Sequence, residues 1–246
     1  MSTRMSTRLW PRRWGDRRPS PAAHSAGVVW APVTGNPPLF SYPSAVGGEA
    51  CGRAGFAVVD LETSGLSPGK GHRIVEIGIV RVSASGDFLD EWSTLINPGR
   101  GRDTGAVAIH RISNEMVAQA PHFRDVADDV LFWLNSGVVV AHNARFEADF
   151  LTAAFAGIGR NVPTFPAIDT LRLSRQVVSC PDYRLATLCR WAQVDLRDAH
   201  TALGDARATA QLLPALLRAR DAELMWDTPI TSLSVQPSGV QCVRSA

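Results

Sequence analysis

From residue 56 onward, apolar positions form runs with the period of strands and stripes with the period of helices. The strand-like runs are Phe56–Leu61, Ile74–Val82, Phe88–Ile96, Val138–Ala141 and a short run ending at Ala167–Ile168. The helix-like segments are Phe123–Leu134, Asn143 to about Phe155, Thr170–Val178, Leu185–Ala192 and a long helix from near Ala199 that Pro214 should kink or split. A three-strand meander followed by alternating helices and strands predicts an α/β fold with a mixed five-stranded sheet flanked by helices.

Both ends of the chain differ from this central region. Residues 1–52 are rich in arginine and proline and show no sustained hydrophobic period, which predicts a disordered extension. An organellar transit segment and a misplaced start codon are alternative explanations of the same residues. Residues 53–226 are predicted to form one domain, and residues 227–246 a flexible C-terminal tail.

Composition narrows the class of protein. The 25 basic and 23 acidic residues give a formal charge of +2, which favours no particular charged partner. No stretch approaches the roughly 18 consecutive apolar residues of a membrane helix, so no membrane association is expected. The four cysteines contain no Cys-x-x-Cys pair, which argues against a zinc site and a disulfide framework and favours a reduced, cytoplasmic location.

Two carboxylates lie where the first predicted strand runs out. Asp60 and Glu62 are separated by one residue, so the alternation of a strand places both side chains on one face. Like charges held this close need a cation between them, or the pKa of at least one group rises. An Asp-x-Glu triplet is common by chance and would alone be interpreted as a solvated turn. The tight turn that follows, Thr63–Pro68, lets backbone amides approach a ligand and favours a site.

Two further acids lie on apolar faces of predicted helices. Glu147 falls among apolar side chains, whereas Asp149 points away from them and is predicted to be a solvated surface charge. Asp205 lies on the apolar stripe of the last helix, where a charge is costly unless it is paired or binds a cation. His200 precedes Asp205 by five residues and is predicted to lie at the entrance to that helix.

These acids are all predicted to lie at strand ends or helix starts near the sheet. Hard carboxylate ligands of this kind select Mg²⁺ or Mn²⁺. Two such ions suit phosphoryl displacement, because one lowers the pKa of the attacking water and the other stabilises the leaving oxygen. The predicted metal ligands are Asp60, Glu62, Glu147 and Asp205.

Two neighbouring acids have simpler interpretations. Glu76 interrupts an apolar strand and is predicted to form a structural ion pair. Asp169 precedes a helix and is predicted to be its N-cap.

Together the motifs closely resemble those of the DEDDh branch of the DEDD exonuclease superfamily, and within it the epsilon proofreading subunits of bacterial DNA polymerase III. The matching stretches lie in the family's order over residues 56–217 and are Val59–Leu66, Arg73–Ile77, Ala108–Ile112, His142–Glu147, Asp169–Leu171 and His200–Asp205. The resemblance implies an RNase H-like fold over the 53–226 domain. It also implies a metal-dependent 3′→5′ exonuclease that releases nucleoside 5′-monophosphates from single-stranded DNA in proofreading or repair, with a DNA polymerase as a possible partner.

The resemblance further implies a role for each matching residue. Asp60 would bridge both ions, and Glu62 with Asp205 would complete one of the two sites. Glu147 would hold the second ion through water. His200 would accept the proton of the attacking water, because an imidazole can do so at neutral pH. The residues that would cradle the terminal nucleotide are Thr63, Gly65, Leu66, His110, Asn143 and Phe146, of which the last could equally be a core residue.

Two positions depart from the family's pattern. Glu147 stands where the family usually has aspartate, which is one methylene shorter. The extra length suits a water-bridged contact, whereas a direct contact would require the helix to shift or Asp149 to be recruited. Arg111 replaces a usual glycine beside His110 and adds a cation near the path of the substrate.

Two other functions stay open at this level. A 3′→5′ exoribonuclease that trims RNA would use the same chemistry, and nothing in the sequence clearly reads the 2′-hydroxyl. A non-catalytic nucleic-acid-binding module on the same fold is the second alternative, although all five key positions carry competent side chains. No recognisable segment for docking to a polymerase is seen.

Overall fold

A computed structural model describes residues 37–43, 49–50, 55–220 and 224–226 of the chain. The strands are β1 (Phe40–Ser41), β2 (Glu49–Ala50), β3 (Phe56–Thr63), β4 (Ile74–Val82), β5 (Phe88–Leu95), β6 (Val138–Ala141), β7 (Phe165–Asp169) and β8 (Met225–Trp226). The helices are α1 (Val107–His110), α2 (Asn114–Val117), α3 (Phe123–Leu134), α4 (Ala144–Gly157), α5 (Thr170–Val177), α6 (Leu185–Ala192) and α7 (Ala202–Ala219), with a 3₁₀ turn at Pro68–Lys70. Within these ranges, no helix has both the length and the apolar composition that a membrane span requires.

Six of the strands form one mixed sheet in the order β1-β7-β6-β3-β4-β5. Strand β3 pairs antiparallel with β4, which pairs antiparallel with β5. On its other side β3 pairs parallel with β6, and β6, β7 and β1 continue in parallel. The predicted α/β class with a mixed sheet is confirmed, but the sheet has six strands where five were predicted.

The additional strand β1 comes from the segment that was predicted to be disordered. Phe40 lies opposite Phe165 in the parallel pairing, and Leu39 accepts the Phe165 N–H at 2.8 Å. Leu39 and Phe40 are both buried. The prediction is wrong for these residues because a two-residue edge strand is too short to display a hydrophobic period. The rest of the predicted extension, apart from residues 37–43 and 49–50, and the predicted tail 227–246 lie outside the described residues.

The centre of the sheet is buried on both faces. Val58 and Val59 are consecutive on β3 and therefore point to opposite faces, yet both are almost fully buried. Helix α7 packs against β3 and β4, and α4 packs against β6 and β7. This layered arrangement explains why the central strands are continuous apolar runs, in which an acid such as Asp60 stands out.

Helix α7 starts later than predicted and is not divided. It begins at Ala202, after Thr201, whose hydroxyl accepts the Gly204 N–H at 3.1 Å. Pro214 lies inside α7, so of the expected kink or split the split is wrong. Leu213 before the proline and Leu216 after it are both fully buried, and their packing holds the helix together across the missing backbone hydrogen bond.

We expect Phe40→Ala to lower the free energy of unfolding by about 3–5 kcal/mol, the usual cost of removing a buried aromatic ring. Its side chain is 3% exposed at the edge of the sheet. Denaturant unfolding followed by circular dichroism measures the change. The control is Leu89→Ala, whose side chain is 51% exposed and which should change stability by about 0.5 kcal/mol or less. Equal effects of the two substitutions would show that β1 does not belong to the folded domain.

Candidate active site

Strand β3 and helix α7 bring three carboxylates together. One oxygen from each of Asp60, Glu62 and Asp205 lies within 4.8 Å of the others, and all three residues are partly buried. Asp60 and Glu62 share one face of β3, as their spacing predicts. Asp205 comes from the first turn of α7. Acids about 145 positions apart in the chain therefore converge on one point of the sheet.

His200 lies beside this cluster in the turn that leads into α7. Its side chain is exposed, and its backbone is left-handed with φ 65°. The His200 N–H donates to Oδ2 of Asp205 at 3.4 Å. The predicted position at the entrance to the helix is thus confirmed, and the imidazole is exposed to solvent.

Glu147 faces inward from helix α4. Its side chain is 3% exposed, and its Oε2 is buried without a hydrogen-bond partner among the described residues. Asp149 is exposed instead, and its Oδ2 lies 3.9 Å from Nε of Arg145. The predicted orientations of both acids are confirmed. A buried carboxylate oxygen without a partner is costly, so Glu147 favours a ligand that the described residues do not supply.

Asp169 connects the start of α5 with the start of α4. Its Oδ1 accepts the N–H groups of Leu171 and Arg172, as the predicted N-cap should. The same oxygen also accepts the Asn143 N–H at 3.2 Å. Asn143 itself is exposed, left-handed at φ 73°, and caps α4 without a side-chain hydrogen bond. One buried carboxylate thus orients the helix that carries Glu147, which the sequence did not reveal.

Burial and mutual repulsion raise the pKa values of the clustered acids. Burial raises the pKa of Asp60 well above its usual value, and the charges of Glu147 and Asp205 raise it further. Burial, followed by the charge of Asp205, raises the pKa of Glu62 to about 7. Burial likewise raises the pKa of Glu147 and of Asp205. Groups that resist ionisation together in this way are expected to bind cations, because a cation removes the repulsion.

The turn after β3 holds three of the residues predicted to contact a nucleotide. Thr63 is buried and its hydroxyl donates to the Gly65 carbonyl at 2.7 Å. A side chain at Gly65 would collide with the imidazole of His72, which closes over the turn. Leu66 is 86% exposed at its tip. A single exposed apolar side chain is ordinary in itself, so the contact of Leu66 with a nucleotide stays a prediction.

Two further residues that were predicted to contact a nucleotide, His110 and Phe146, are more buried. His110 is buried, its Nδ1 accepts the Ile112 N–H at 3.0 Å, and its Nε2 lies 3.0 Å from the Thr104 carbonyl. Both ring nitrogens are therefore occupied, and the ring shapes the loop from within. Phe146 is half-buried, with its ring 4.9 Å from that of the core residue Phe150. Phe146 therefore packs against the core and keeps part of its surface exposed to solvent.

Arg111 follows His110 in a left-handed conformation, with φ 62°. This backbone geometry accounts for the glycine usual at that position in the family it resembles, since only glycine adopts it without strain. Arg111 is exposed. Arg111, which departs from the family's usual glycine, is therefore a solvent-exposed cation on a strained backbone.

Glu76 forms no ion pair with any residue that the structure describes, although the sequence predicted one. Within the described residues its Oε2 accepts the Ala202 N–H at 2.9 Å, and no ion pair is found for it. Glu76 lies directly opposite Glu62 in the β3–β4 pairing. The prediction was wrong because the partner is a backbone amide at the start of α7, which a sequence pattern does not show. The register of the β3–β4 hairpin places Glu76 beside the acid cluster.

Tyr42 lies near Asp169 and Glu147, and the sequence did not indicate this. Burial, followed by the charge of Asp169, raises the pKa of Tyr42 to about 12. The guanidinium of Arg172 lies 5.4 Å from the centre of its ring. Tyr42 lies just after β1, in a segment that shows no hydrophobic period in the sequence.

The residues present fit a divalent cation. Three converging carboxylates and the unpartnered oxygen of Glu147 supply only hard oxygen donors, with no cysteine or coordinating sulfur among them. Such donor sets suit Mg²⁺ and Mn²⁺. Clustered acidic groups are common in proteins, so the cluster alone does not define a family.

A family model described as an exonuclease (RNase_T) matches residues 57–213, which is more than half of the chain. The chain belongs to the RNase_T exonuclease family. The DNA polymerase III subunit epsilon of Rickettsia typhi is 33% identical to this exonuclease-family chain over 196 residues, covering 76% of the chain and 86% of the relative. The family inferred from the sequence motifs is thereby confirmed.

Other relatives are much longer than the matching region. The PolC-type DNA polymerase III of Oceanobacillus iheyensis is 34% identical over 164 residues, which cover 66% of this chain and 11% of that polymerase. The chain thus spans about a tenth of that relative.

Solved structures confirm the RNase H-like fold. Exonuclease X in complex with 5′ overhanging duplex DNA superposes with a TM-score of 0.52 at 29% identity, covering 66% of this chain and 91% of that chain. A structure of the 3′-end specific recognition of histone mRNA stem-loop by 3′-exonuclease has a TM-score of 0.59 at 14% identity, covering 73% and 94%. The second likeness concerns the fold alone.

We expect the metal-free protein to lose stability as the pH rises from about 5 to about 8. Burial raises the pKa of Glu62 from 4.5 to about 7, so the folded protein binds protons that the unfolded chain releases within this window. Rising pH therefore favours unfolding. Melting temperatures in a chelating buffer measure the loss, and added Mg²⁺ or Mn²⁺ should reverse it at the higher pH.

The matched variants for this prediction are Glu62→Gln and Asp149→Asn. The first should flatten the pH dependence because it removes a titrating group, and the second should leave it unchanged because Asp149 is exposed. A melting temperature that rises with pH in the chelating buffer would contradict the prediction.

Proposed function

We propose that this chain is a divalent-metal-dependent 3′→5′ exonuclease that releases nucleoside 5′-monophosphates from the 3′ end of DNA, in proofreading or repair. The observation that carries the proposal is the convergence of Asp60, Glu62 and Asp205, with one oxygen of each within 4.8 Å. Membership of the exonuclease family supports the hydrolysis of a phosphodiester.

Two ions are proposed for the site. Asp60, Glu62 and Asp205 would hold one of them, and Asp60 with Glu147 would hold the other. When bound, the ions supply positive charge that lowers the pKa of an attacking water and neutralises the reacting phosphate. The unpartnered oxygen of Glu147 supports the second position. Whether this contact is direct or through water depends on the extra methylene of glutamate.

The protein's own groups then handle the proton and the substrate. His200 would accept the proton of the attacking water, and its exposed position at the entrance to α7 supports this role. Leu66 and Phe146 would contact the terminal nucleotide through their exposed surfaces, with Thr63, Gly65 and Asn143 shaping the cradle. His110 would act indirectly, because both of its ring nitrogens already bind backbone groups.

DNA is the proposed substrate because the epsilon subunits to which the chain is similar are named as parts of DNA polymerase III. The same names support a polymerase as partner, whereas a cytoplasmic location is proposed from the cysteine content alone. Single-stranded ends are proposed because an unpaired terminal nucleotide can reach carboxylates that are partly buried. Trimming of RNA is the alternative that the test below separates.

We expect Asp60→Asn to lower the rate of metal-dependent mononucleotide release at least about a thousandfold, because several kcal/mol of charge stabilisation in the transition state are lost. The measurement uses single-stranded DNA labelled at its 5′ end, which yields a ladder of products shortened from the 3′ end. A matched RNA oligonucleotide is digested in parallel with Mg²⁺ or Mn²⁺.

Faster digestion of the RNA than of the DNA would show that RNA is the preferred substrate. Activity retained by Asp60→Asn would refute the assignment of the site, and products shortened from the 5′ end would refute the polarity.

A second substitution pair tests which acid of α4 takes part. Glu147→Gln should lower the turnover number about 100-fold or more, which is the usual cost of losing one group that contributes to electrostatic stabilisation of the transition state. Asp149→Asn should be nearly neutral because its side chain is exposed. Steady-state rates on the same oligonucleotide measure both. The opposite ranking would transfer the metal-binding role to Asp149.

A further inference from the structure

The first turn of α7 rests directly on the backbone of β4. A side chain at Gly78 would place its Cβ 2.4 Å from the Ala202 carbonyl carbon and 2.4 Å from the Leu203 nitrogen. Gly78 lies opposite Asp60 in the β3–β4 pairing. The helix can therefore approach this point of the sheet only because residue 78 has no side chain.

Glu76 holds the helix at that same point. It lies two residues before Gly78 on β4 and therefore shares its face. Its Oε2 accepts the Ala202 N–H at 2.9 Å. The first N–H groups of a helix have no partner within the helix, so a carboxylate from a neighbouring strand both satisfies this donor and interacts favourably with the helix dipole.

The captured turn carries two groups of the proposed active site. Asp205 lies three residues after Ala202, and its N–H donates to the Thr201 carbonyl at 3.0 Å. His200 lies two residues before Ala202 and donates its N–H to Asp205. The contact of Ala202 with β4 thus sets where Asp205 lies relative to Asp60 and Glu62 on the adjacent strand.

We propose that Glu76 is a positioning residue, which places Asp205 and His200 against the β3 carboxylates by holding the Ala202 N–H. This role rests on the proposed function of the site. Glu76 is not assigned as a metal ligand or as a proton carrier. Its essential feature is a hydrogen-bond acceptor at a fixed point, and its charge is secondary.

A pair of substitutions separates the acceptor from the charge. Glu76→Gln removes the charge and keeps an oxygen that can accept the Ala202 N–H, whereas Glu76→Ala removes both. The matched control is Glu91→Ala on β5. Glu91 binds the Arg207 guanidinium on the same helix through two hydrogen bonds, so its loss also removes a glutamate that ties the sheet to α7.

The first measurement is Mn²⁺ binding by titration calorimetry on the full chain without nucleic acid, at a temperature where circular dichroism shows each variant folded. Glu76→Ala should weaken Mn²⁺ binding about 10- to 100-fold, as losses of groups that orient metal ligands usually do. Glu76→Gln should stay close to the parent protein. Glu91→Ala should lower the melting temperature while leaving Mn²⁺ affinity unchanged.

The second measurement is steady-state digestion of single-stranded DNA. Glu76→Ala should lower kcat with little change in KM, and Glu76→Gln should restore kcat. Equal losses in both Glu76 variants would overturn the inference in favour of a charge effect, and an equal loss in Glu91→Ala would overturn it in favour of general loosening of the helix. Parent-like Mn²⁺ binding by folded Glu76→Ala would also overturn it.

The two measurements keep the inference and the proposed function apart. If the parent protein binds Mn²⁺ and Glu76→Ala weakens this binding, but neither digests DNA, then the proposed function fails while the positioning role stands. If the parent protein digests DNA and Glu76→Ala matches it in both measurements, the positioning role fails alone.

Discussion

The electrostatic repulsion between carboxylates on one face of the sheet is the constraint around which this molecule is arranged. Asp60, Glu62 and Asp205 converge within 4.8 Å, and Glu147 raises the pKa of Asp60 further. Packing of apolar side chains elsewhere must supply the free energy that keeps these groups together. The sheet is well suited to this, because its central strands are buried on both faces and tolerate little displacement.

Repulsion alone would push α7 away from β3, and two features of β4 oppose it. Gly78 lets the helix approach the sheet backbone, and Glu76 captures its first free N–H. The arrangement has its own cost, since Glu76 adds a further acid opposite Glu62. A bound cation would offset that charge as well, so the groups that position the site and the groups that would bind metal depend on the same ion.

The sequence predicted the central strands, the inward orientation of Glu147 and the outward orientation of Asp149, because each depends on local hydrophobic periodicity. It failed where partners are distant in the chain. Glu76 was assigned to an ion pair because its true partner, the Ala202 N–H, lies 126 residues away and is a backbone group without a sequence signal. Strand β1 was missed because two residues cannot display a period, and the left-handed backbone of Arg111 is visible only in three dimensions.

Both acids contributed by helices lie near helix N-termini, Asp205 in the first turn of α7 and Glu147 in the first turn of α4. The positive end of a helix dipole favours a carboxylate, by about 0.3–1 kcal/mol at an exposed position. That contribution is small beside the desolvation of a buried charge, and the pKa of Glu147 remains raised in spite of it. Helix dipoles therefore stabilise the acids without neutralising them, and Oε2 of Glu147 has no hydrogen-bond partner among the residues that the structure describes. A divalent cation is the ligand whose charge is large enough to offset the repulsion that remains between the acids.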